Sequence, residues 1–385
     1  MPHMSDLPTP PPEALAHSER LAALIRGEIA AAGGWIPFTR YMELALYAPG
    51  LGYYTAGARK LGREGDFTTA PEITPLYGHT LAHQAAQVLD SGLEQILEIG
   101  AGSGALAAAM LTELARMQRL PSTYYILEVS PDLRERERDL LAQKVPELLE
   151  RVVWLNRLPN LYQGLIVANE VLDAMPVHLV RGGASAPEEG GVALRGGAFA
   201  WDWRPAAGEL RTAAAALGLP PGYHSEIQMQ ACAFVRTLAD AMARGVILLI
   251  DYGFPAHEYY LPERSAGTLM CHYRHRAHAD PFFLPGLQDI TSHVDFSAIA
   301  RAGREAGLEL LGYTGQAQFL INCGITDILL RTPPEDAAAY LPQAAAVQPL
   351  LSPSEMGELF KVIALGKEYA APLAGFASGD RRASL

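Results

Sequence analysis

A short apolar run, Gln95-Ile96-Leu97-Glu98-Ile99, leads straight into Gly100-Ala101-Gly102-Ser103-Gly104, and Ala105 opens a helical stretch. Glycines alternating in this way exceed what a plain strand-to-helix turn requires. They allow a tight turn and let a ligand reach the backbone at a helix N-terminus. Such a strand–loop–helix unit constrains the fold more than any other feature of the chain, because it belongs to α/β domains that bind nucleosides at the carboxyl end of a parallel sheet.

Two ligand classes fit the loop. Gly100-x-Gly102-x-x-Ala105 satisfies a dinucleotide fingerprint with Ala in place of the third Gly. The same residues, preceded by Glu98, read Glu-x-Gly-x-Gly-x-Gly. The acid favours S-adenosyl-L-methionine (SAM), a ligand with a cationic ammonium and sulfonium and no phosphate; beside a pyrophosphate it would repel. Glu128 closes the next β-rich run, Tyr124–Val129, where a carboxylate can accept both ribose hydroxyls of either ligand.

Alternation of strands and helices continues downstream. Ser130-Pro131 reads as an N-cap followed by Pro at the first helical position. Strands are expected at 151–155, 164–169, 245–250, 308–313 and 360–365, and Asp295 caps a helix to Ala306. The fold class is therefore α/β, a doubly wound sheet. Residues 1–12 read as a Pro-rich tail, 13–92 as an N-terminal helical or cover segment, and 367–385 as a C-terminal tail. The core spans 93–366, interrupted by an inserted β subdomain at 179–225 and a helical insertion at 315–358.

Composition narrows the function classes. With 385 residues and 49% hydrophobic side chains the chain can bury a large core, as one domain with insertions or as two. A net charge of −12 argues against a general nucleic-acid binder and against docking on an anionic membrane. No run is long and apolar enough for a membrane span, and the first residues lack the basic and apolar regions of a signal peptide. The 3 cysteines are too scattered for a disulfide framework. The compartment expected on these grounds is the cytoplasm.

The stretch Gly164-Leu-Ile-Val-Ala-Asn169-Glu170-Val-Leu-Asp173 places polar groups where an apolar strand ends. Asn169 can orient a substrate nitrogen, and Glu170 with Asp173 can clamp a guanidinium through charge-assisted bonds. The competing reading is a capped helix start with a solvated Asp173.

Taken in order, GDFTTAPE (65–72), LEIGAGSG (97–104), ANEVLDAMPVH (168–178), DITSHVDF (289–296) and MGELFKVIAL (356–365) resemble the MidA-like family of SAM-dependent methyltransferases, over residues 20–366. The resemblance implies a class I methyltransferase (Rossmann-like) core and protein arginine methyltransferase activity. The family's mitochondrial members are assembly factors for respiratory complex I, and one symmetrically dimethylates an arginine of a core subunit. The resemblance assigns Gly100, Gly102 and Gly104, with Ala101 between them, to the SAM loop. It makes Glu128 the ribose acid and Asn169–Asp173 the motif after the fourth strand. Asp66, Phe67 and Thr69 fall in a segment expected to close over the site. Glu98 and Asn169 complete the expected cofactor contacts, and Glu170, Asp173 and His293 are the expected catalytic residues. The expected partner is a protein substrate, a complex I subunit being one instance, and the reading admits a homodimer.

Cys271, His272, His275, His278 and His293 lie close in sequence but fit no closed zinc spacing, and no metal is expected. His293 is a candidate for substrate positioning or proton removal, or else a structural histidine beside Asp295. Glu226 reads as a first-turn partner of the following helix dipole. Phe199, Trp201 and Trp203 alternate as one packed face of a hairpin does. The competing functions are an NAD-type oxidoreductase and a non-enzymatic assembly chaperone on a methyltransferase scaffold.

Overall fold

The computed structural model describes residues 7–56 and 69–385. The chain divides into two compact units. The larger comprises Thr68–Val171, Ala233–Pro255 and Asp295–Leu385; the smaller comprises Met1–Phe67, Leu172–Cys232 and Ala256–Val294.

Among the described residues, the continuous path of the larger unit's sheet is made by seven strands: β1 (Gln95–Ile99), β2 (Thr123–Leu127), β3 (Val152–Leu155), β4 (Tyr162–Asn169), β5 (Met242–Phe254), β6 (Glu309–Gly315) and β7 (Phe360–Lys367). Their spatial order is β6-β7-β5-β4-β1-β2-β3. The β1–β2, β1–β4, β2–β3 and β4–β5 pairs are parallel, and β7 runs antiparallel to both β5 and β6. The order reverses at β1, which places the glycine loop at a topological switch point, where open α/β sheets bind ligands. Strands buried on both faces carry continuous apolar runs rather than alternation: Val246 through Ile250 and Val362 through Leu365 are all buried.

The helices obey their end signals. Thr74 Oγ1 accepts from Leu76 N at the start of Pro75–Asp90, Ser130 Oγ from Leu133 N at Pro131–Lys144, and Asp295 Oδ1 from Ala298 N at Phe296–Glu305. Leu81, Ala85, Leu106, Met110 and Leu114, on helices Pro75–Asp90 and Ala105–Arg116, join Ile96, Val167, Val246 and Val362 in one core. Helix Pro75–Asp90 thus belongs to the core of the larger unit. It separates from the helices before it, so the segment expected over 13–92 is split between the two units. Insertion 315–358 forms helices Gln316–Asn322, Ile325–Leu329, Ala337–Leu351 and Met356–Leu359. Residues 367–385, read from sequence as a tail, are packed instead. Leu373 and Phe376 are buried, and the Ala374 and Gly375 backbone N–H groups donate to the side-chain oxygens of Gln87 and Gln84. Three anchors, Tyr369, Leu373 and Phe376, dock it into the core of the larger unit.

The smaller unit starts with helix Pro12–Ala31, strand Trp35–Pro37 and helix Phe38–Tyr47. Trp35–Pro37 pairs antiparallel with Glu188–Arg195, which also pairs with His178–Arg181 and Ala198–Pro205; His224–Ile227 completes that sheet. The inserted β segment thus pairs with a strand from the chain's start. Trp201 packs on Phe38 and Phe282, and Phe199 on Tyr41, so these two aromatics form a packed face. Met270–Tyr273 is the centre of a second, three-stranded sheet. Cys271 is buried there, and burial pushes its thiol well above the usual range. Among the described residues no helix is long and apolar enough to cross a membrane.

Candidate active site

The loop after β1 is built on left-handed backbone. Gly100, Gly102 and Gly104 have φ of 68°, 61° and 85°, conformations that side-chain-bearing residues seldom adopt. Gly100 N donates to Leu127 O at 3.2 Å and Gly104 N to Ala101 O at 2.9 Å, so the loop is closed by its own amides and tied to β2. A Cβ on Gly100 would stand 3.1 Å from Val171 Cγ2. Ser103 Oγ donates to Glu72 and accepts from Ala105 N, which joins the loop to the short helix Ala70–Ile73. Thr69 precedes that helix and its carbonyl accepts from Glu72 N and Ile73 N. Asp66 and Phe67, expected in the same cover segment, lie outside the described residues.

Glu98 is turned into the core rather than displayed on the loop. It is only 2% exposed, and its Oε2 accepts from Tyr124 Oη at 2.6 Å across the β1–β2 pair. Burial pushes its carboxyl up to about 7, against the lowering effect of the Tyr124 bond. An inward-facing acid already bonded to Tyr124 is a poor fixed anion for a cationic ligand, contrary to the role expected of it from sequence. Glu128, at the carboxyl end of β2, is better placed. Its Oε1 accepts from Ser130 N at 2.7 Å, and burial raises its carboxyl while the Ser130 and Val129 amides pull it back down.

At the end of β4 the chain turns through Glu170 with φ of 54°, a left-handed conformation at a non-glycine residue. Glu170 N donates to Ile250 O of β5 at 2.8 Å, and Asn169 Nδ2 donates to Glu170 Oε1 at 3.2 Å. Backbone strain of this kind costs ~1–3 kcal/mol and persists where the surroundings over-determine it. Asn169 is thus engaged with its neighbour. Its Oδ1 accepts from Tyr77 Oη at 2.6 Å. The end of β5 contributes Asp251, fully buried, whose Oδ1 accepts from Tyr252 N.

Asp173 and His293 belong to the smaller unit. Asp173 is 6% exposed, not the solvated acid of the competing reading, and its carbonyl accepts from Ser292 N at 3.0 Å. His293 is held through its backbone, its N donating to Thr268 Oγ1 at 3.1 Å and its carbonyl accepting from Gln228 Nε2. Thr268 is in turn fixed by Glu226, which accepts from Thr268 N, Thr268 Oγ1, Leu269 N and Tyr259 Oη. Glu226 is therefore a buried loop anchor at the end of strand His224–Ile227, not the helix-dipole partner read from sequence.

Sequence reasoning missed Tyr77, Glu72 and Glu137. Tyr77 lies on an amphipathic helix where an aromatic reads as core. Glu72 was within a recognised motif but had no assigned partner. Glu137 sits in Arg-Glu-Arg-Glu-Arg-Asp, a pattern that reads as solvated surface, yet it is buried, with Oε2 accepting from Trp154 Nε1 at 2.7 Å.

The family model described as "Putative S-adenosyl-L-methionine-dependent methyltransferase" matches residues 80–314. A protein of Burkholderia thailandensis, whose crystal structure holds S-adenosyl-homocysteine (SAH), is 54% identical. The alignment covers 99% of this chain and 100% of that one, with a TM-score of 0.96. Among curated relatives, the Drosophila melanogaster protein arginine methyltransferase NDUFAF7 homolog, mitochondrial, is 28% identical over 93% of this chain and 88% of its own length. The Mus musculus protein arginine methyltransferase NDUFAF7, mitochondrial, is 29% identical over 86% and 81%. These mitochondrial names overturn the cytoplasmic placement expected from cysteine content, which reports a reducing environment and not an address. The NAD-type alternative and the non-enzymatic one also fall, since the matched family is of SAM-dependent enzymes. The strand order, the left-handed glycine loop and this family match agree: the chain belongs to the MidA-like family, and it is a SAM-dependent methyltransferase of class I, Rossmann-like fold.

Proposed function

We propose that the chain methylates an arginine side chain of a protein substrate, with Glu170 as the carboxylate that receives the guanidinium. SAM supplies an electrophilic methyl group on a sulfonium. The glycine loop offers the cofactor a turn of left-handed backbone that side-chain-bearing residues seldom adopt, and Glu128 takes the ribose hydroxyls at the end of β2.

A guanidinium is a weak nucleophile because its lone pairs are delocalised. A carboxylate that pins it in line with the methyl group raises the rate mainly through orientation. The observation that carries the proposal is the strained, pinned Glu170: left-handed backbone, amide bonded to β5, carboxylate oxygen bonded to Asn169. The relatives' names, protein arginine methyltransferase, support the same substrate class. A subunit of respiratory complex I is the instance that the family resemblance suggests. Asp173 and His293 complete the proposal, as a second anion and as a proton acceptor.

The test is incubation with methyl-labelled SAM and a lysate from a strain lacking this chain, followed by mass spectrometry of the labelled band. The expected result is methylarginine in one protein. Label on lysine, on a carboxylate or only on small molecules would sink the arginine assignment.

A further inference from the structure

Glu170 is not held by its own backbone alone. A chain of side chains leads away from it into the core: Glu170 Oε1 accepts from Asn169 Nδ2, and Asn169 Oδ1 accepts from Tyr77 Oη at 2.6 Å. All three residues are in the larger unit, Tyr77 on helix Pro75–Asp90 and fully buried. The polarity of the chain is fixed by chemistry. An ionised carboxylate only accepts, so the amide must present Nδ2 to Glu170 and Oδ1 to Tyr77. The phenol therefore donates. Burial, with Glu170 and Asp251 adding negative potential, raises the phenol well above its ordinary range and keeps its proton on.

We propose that Tyr77 is a positioning residue for methyl transfer, locking the Asn169 amide so that Glu170 keeps one orientation toward the substrate. Without the hydroxyl, the amide can rotate by half a turn and set Oδ1 against the Glu170 carboxylate, acceptor against acceptor. The two orientations then exchange, and the fraction of enzyme with a correctly aimed Glu170 falls. A buried tyrosine could instead merely satisfy its own hydroxyl. The two ideas differ in whether its effect passes through Asn169.

The inference rests on the reading of Glu170 as the substrate carboxylate. Its test is a cycle of Tyr77→Phe, Asn169→Ala and the double variant, with Glu170→Gln alongside. Each full-length protein is assayed for initial rate of label transfer from methyl-labelled SAM to the acceptor in a lysate lacking this chain. SAH affinity and thermal midpoint are measured in parallel.

Tyr77→Phe should lower the rate ~10-fold while leaving SAH affinity within about twofold, because orientation is lost in the transition state and not in cofactor binding. In the Asn169→Ala background the same substitution should cost less than about twofold, since the path it acts through is already cut. Equal losses in both backgrounds, an unchanged rate in Tyr77→Phe, or a rate loss matched by collapse of the midpoint and of SAH affinity would each overturn the positioning role. A wild-type rate in Glu170→Gln is a separate failure. It would remove the reading of Glu170 itself, and Tyr77 with it, whatever the cycle gives.

Discussion

Glu137 lies directly behind Gly104: a Cβ added to Gly104 would stand 3.3 Å from Glu137 Cα. The helix that carries Glu137 thus packs directly against the cofactor loop at Gly104. Gly104 is left-handed at φ 85° and precedes helix Ala105–Arg116. Gly104→Ala should therefore lose on two counts, ~1–3 kcal/mol of backbone strain and a crowded contact. The expected outcome is a lower thermal midpoint and weaker SAH binding together. Calorimetry and a melting curve that both match the wild type would show that the loop tolerates a Cβ.

Buried acids make the larger unit sensitive to alkali. Burial pushes Glu137 up to about 8, reinforced by the charges of Glu128 and Glu98 and offset by the Trp154 bond and Arg134. Its folded value lies above the unfolded one. Protonated in both states at low pH, it costs nothing there; the penalty grows as pH rises from 4.5 toward about 8 and is complete above that. Glu137→Gln should abolish the penalty and raise stability at pH 9 by at least ~1 kcal/mol, since a tenfold change in proton affinity between the folded and unfolded states is worth ~1.4 kcal/mol. The gain should vanish near pH 4. Denaturant melts of both proteins at the two pH values check it; a gain independent of pH would mean that packing, not charge, is responsible.

Acid sensitivity has a different origin. Glu113 is buried but accepts from Arg116, Arg331 and His83, and these bonds outweigh burial to hold its carboxyl well below the usual range. Its contribution is present above the unfolded value of 4.5 and is lost as pH falls below it. Arg331 reaches Glu113 from the insertion, so Arg331→Ala removes a tie between distant parts of the chain. A loss of ~1–3 kcal/mol at pH 7, much smaller when Glu113 is first replaced by Gln, is the expected outcome in urea melts. Equal losses in the wild-type and Glu113→Gln backgrounds would remove the electrostatic explanation.

Much of the frame is legible in the sequence because local chemistry and tertiary structure agree there. Thr74, Ser130 and Asp295 cap the helices they precede, and apolar runs such as 245–250 can only be interior strands. Legibility fails where a side chain's meaning depends on what it meets. Tyr77 and Asn169 are separated by 92 positions, and helical periodicity says of Tyr77 only that it is buried. Glu98 is a charged residue in a strand covered on both faces, where alternation gives no direction; it points to Tyr124. Glu137 is hidden in a charged run because Trp154 and the glycine loop cover that one position.

Glu128 tests the ribose assignment. Glu128→Ala deletes a carboxylate without touching the glycine backbone, and the lost charge-assisted bonds should weaken SAH binding by ~1–3 kcal/mol. Titration calorimetry that returns the wild-type affinity would leave Glu128 as a cap for the Ser130 amide and nothing more.

Strain at Glu170 separates stability from function. Its φ of 54° is unfavourable for any residue with a Cβ by ~1–2 kcal/mol and free of that cost for glycine. Glu170→Gly should therefore be more stable than Glu170→Ala by about 1 kcal/mol, the reverse of the order at an ordinary strand position, where glycine is the weaker residue. Both variants lack the carboxylate, so both should lose methyl transfer while binding SAH as the wild type does. The comparison needs only melting curves, a binding titration and the labelling assay on two proteins that differ by one methyl group. If the alanine variant is the more stable, the turn relaxes once the side chain is gone, and the strain is made by the Asn169 bond and not by the backbone path. If either variant transfers methyl groups at the wild-type rate, the strained turn serves the fold, and the guanidinium must find its anion elsewhere.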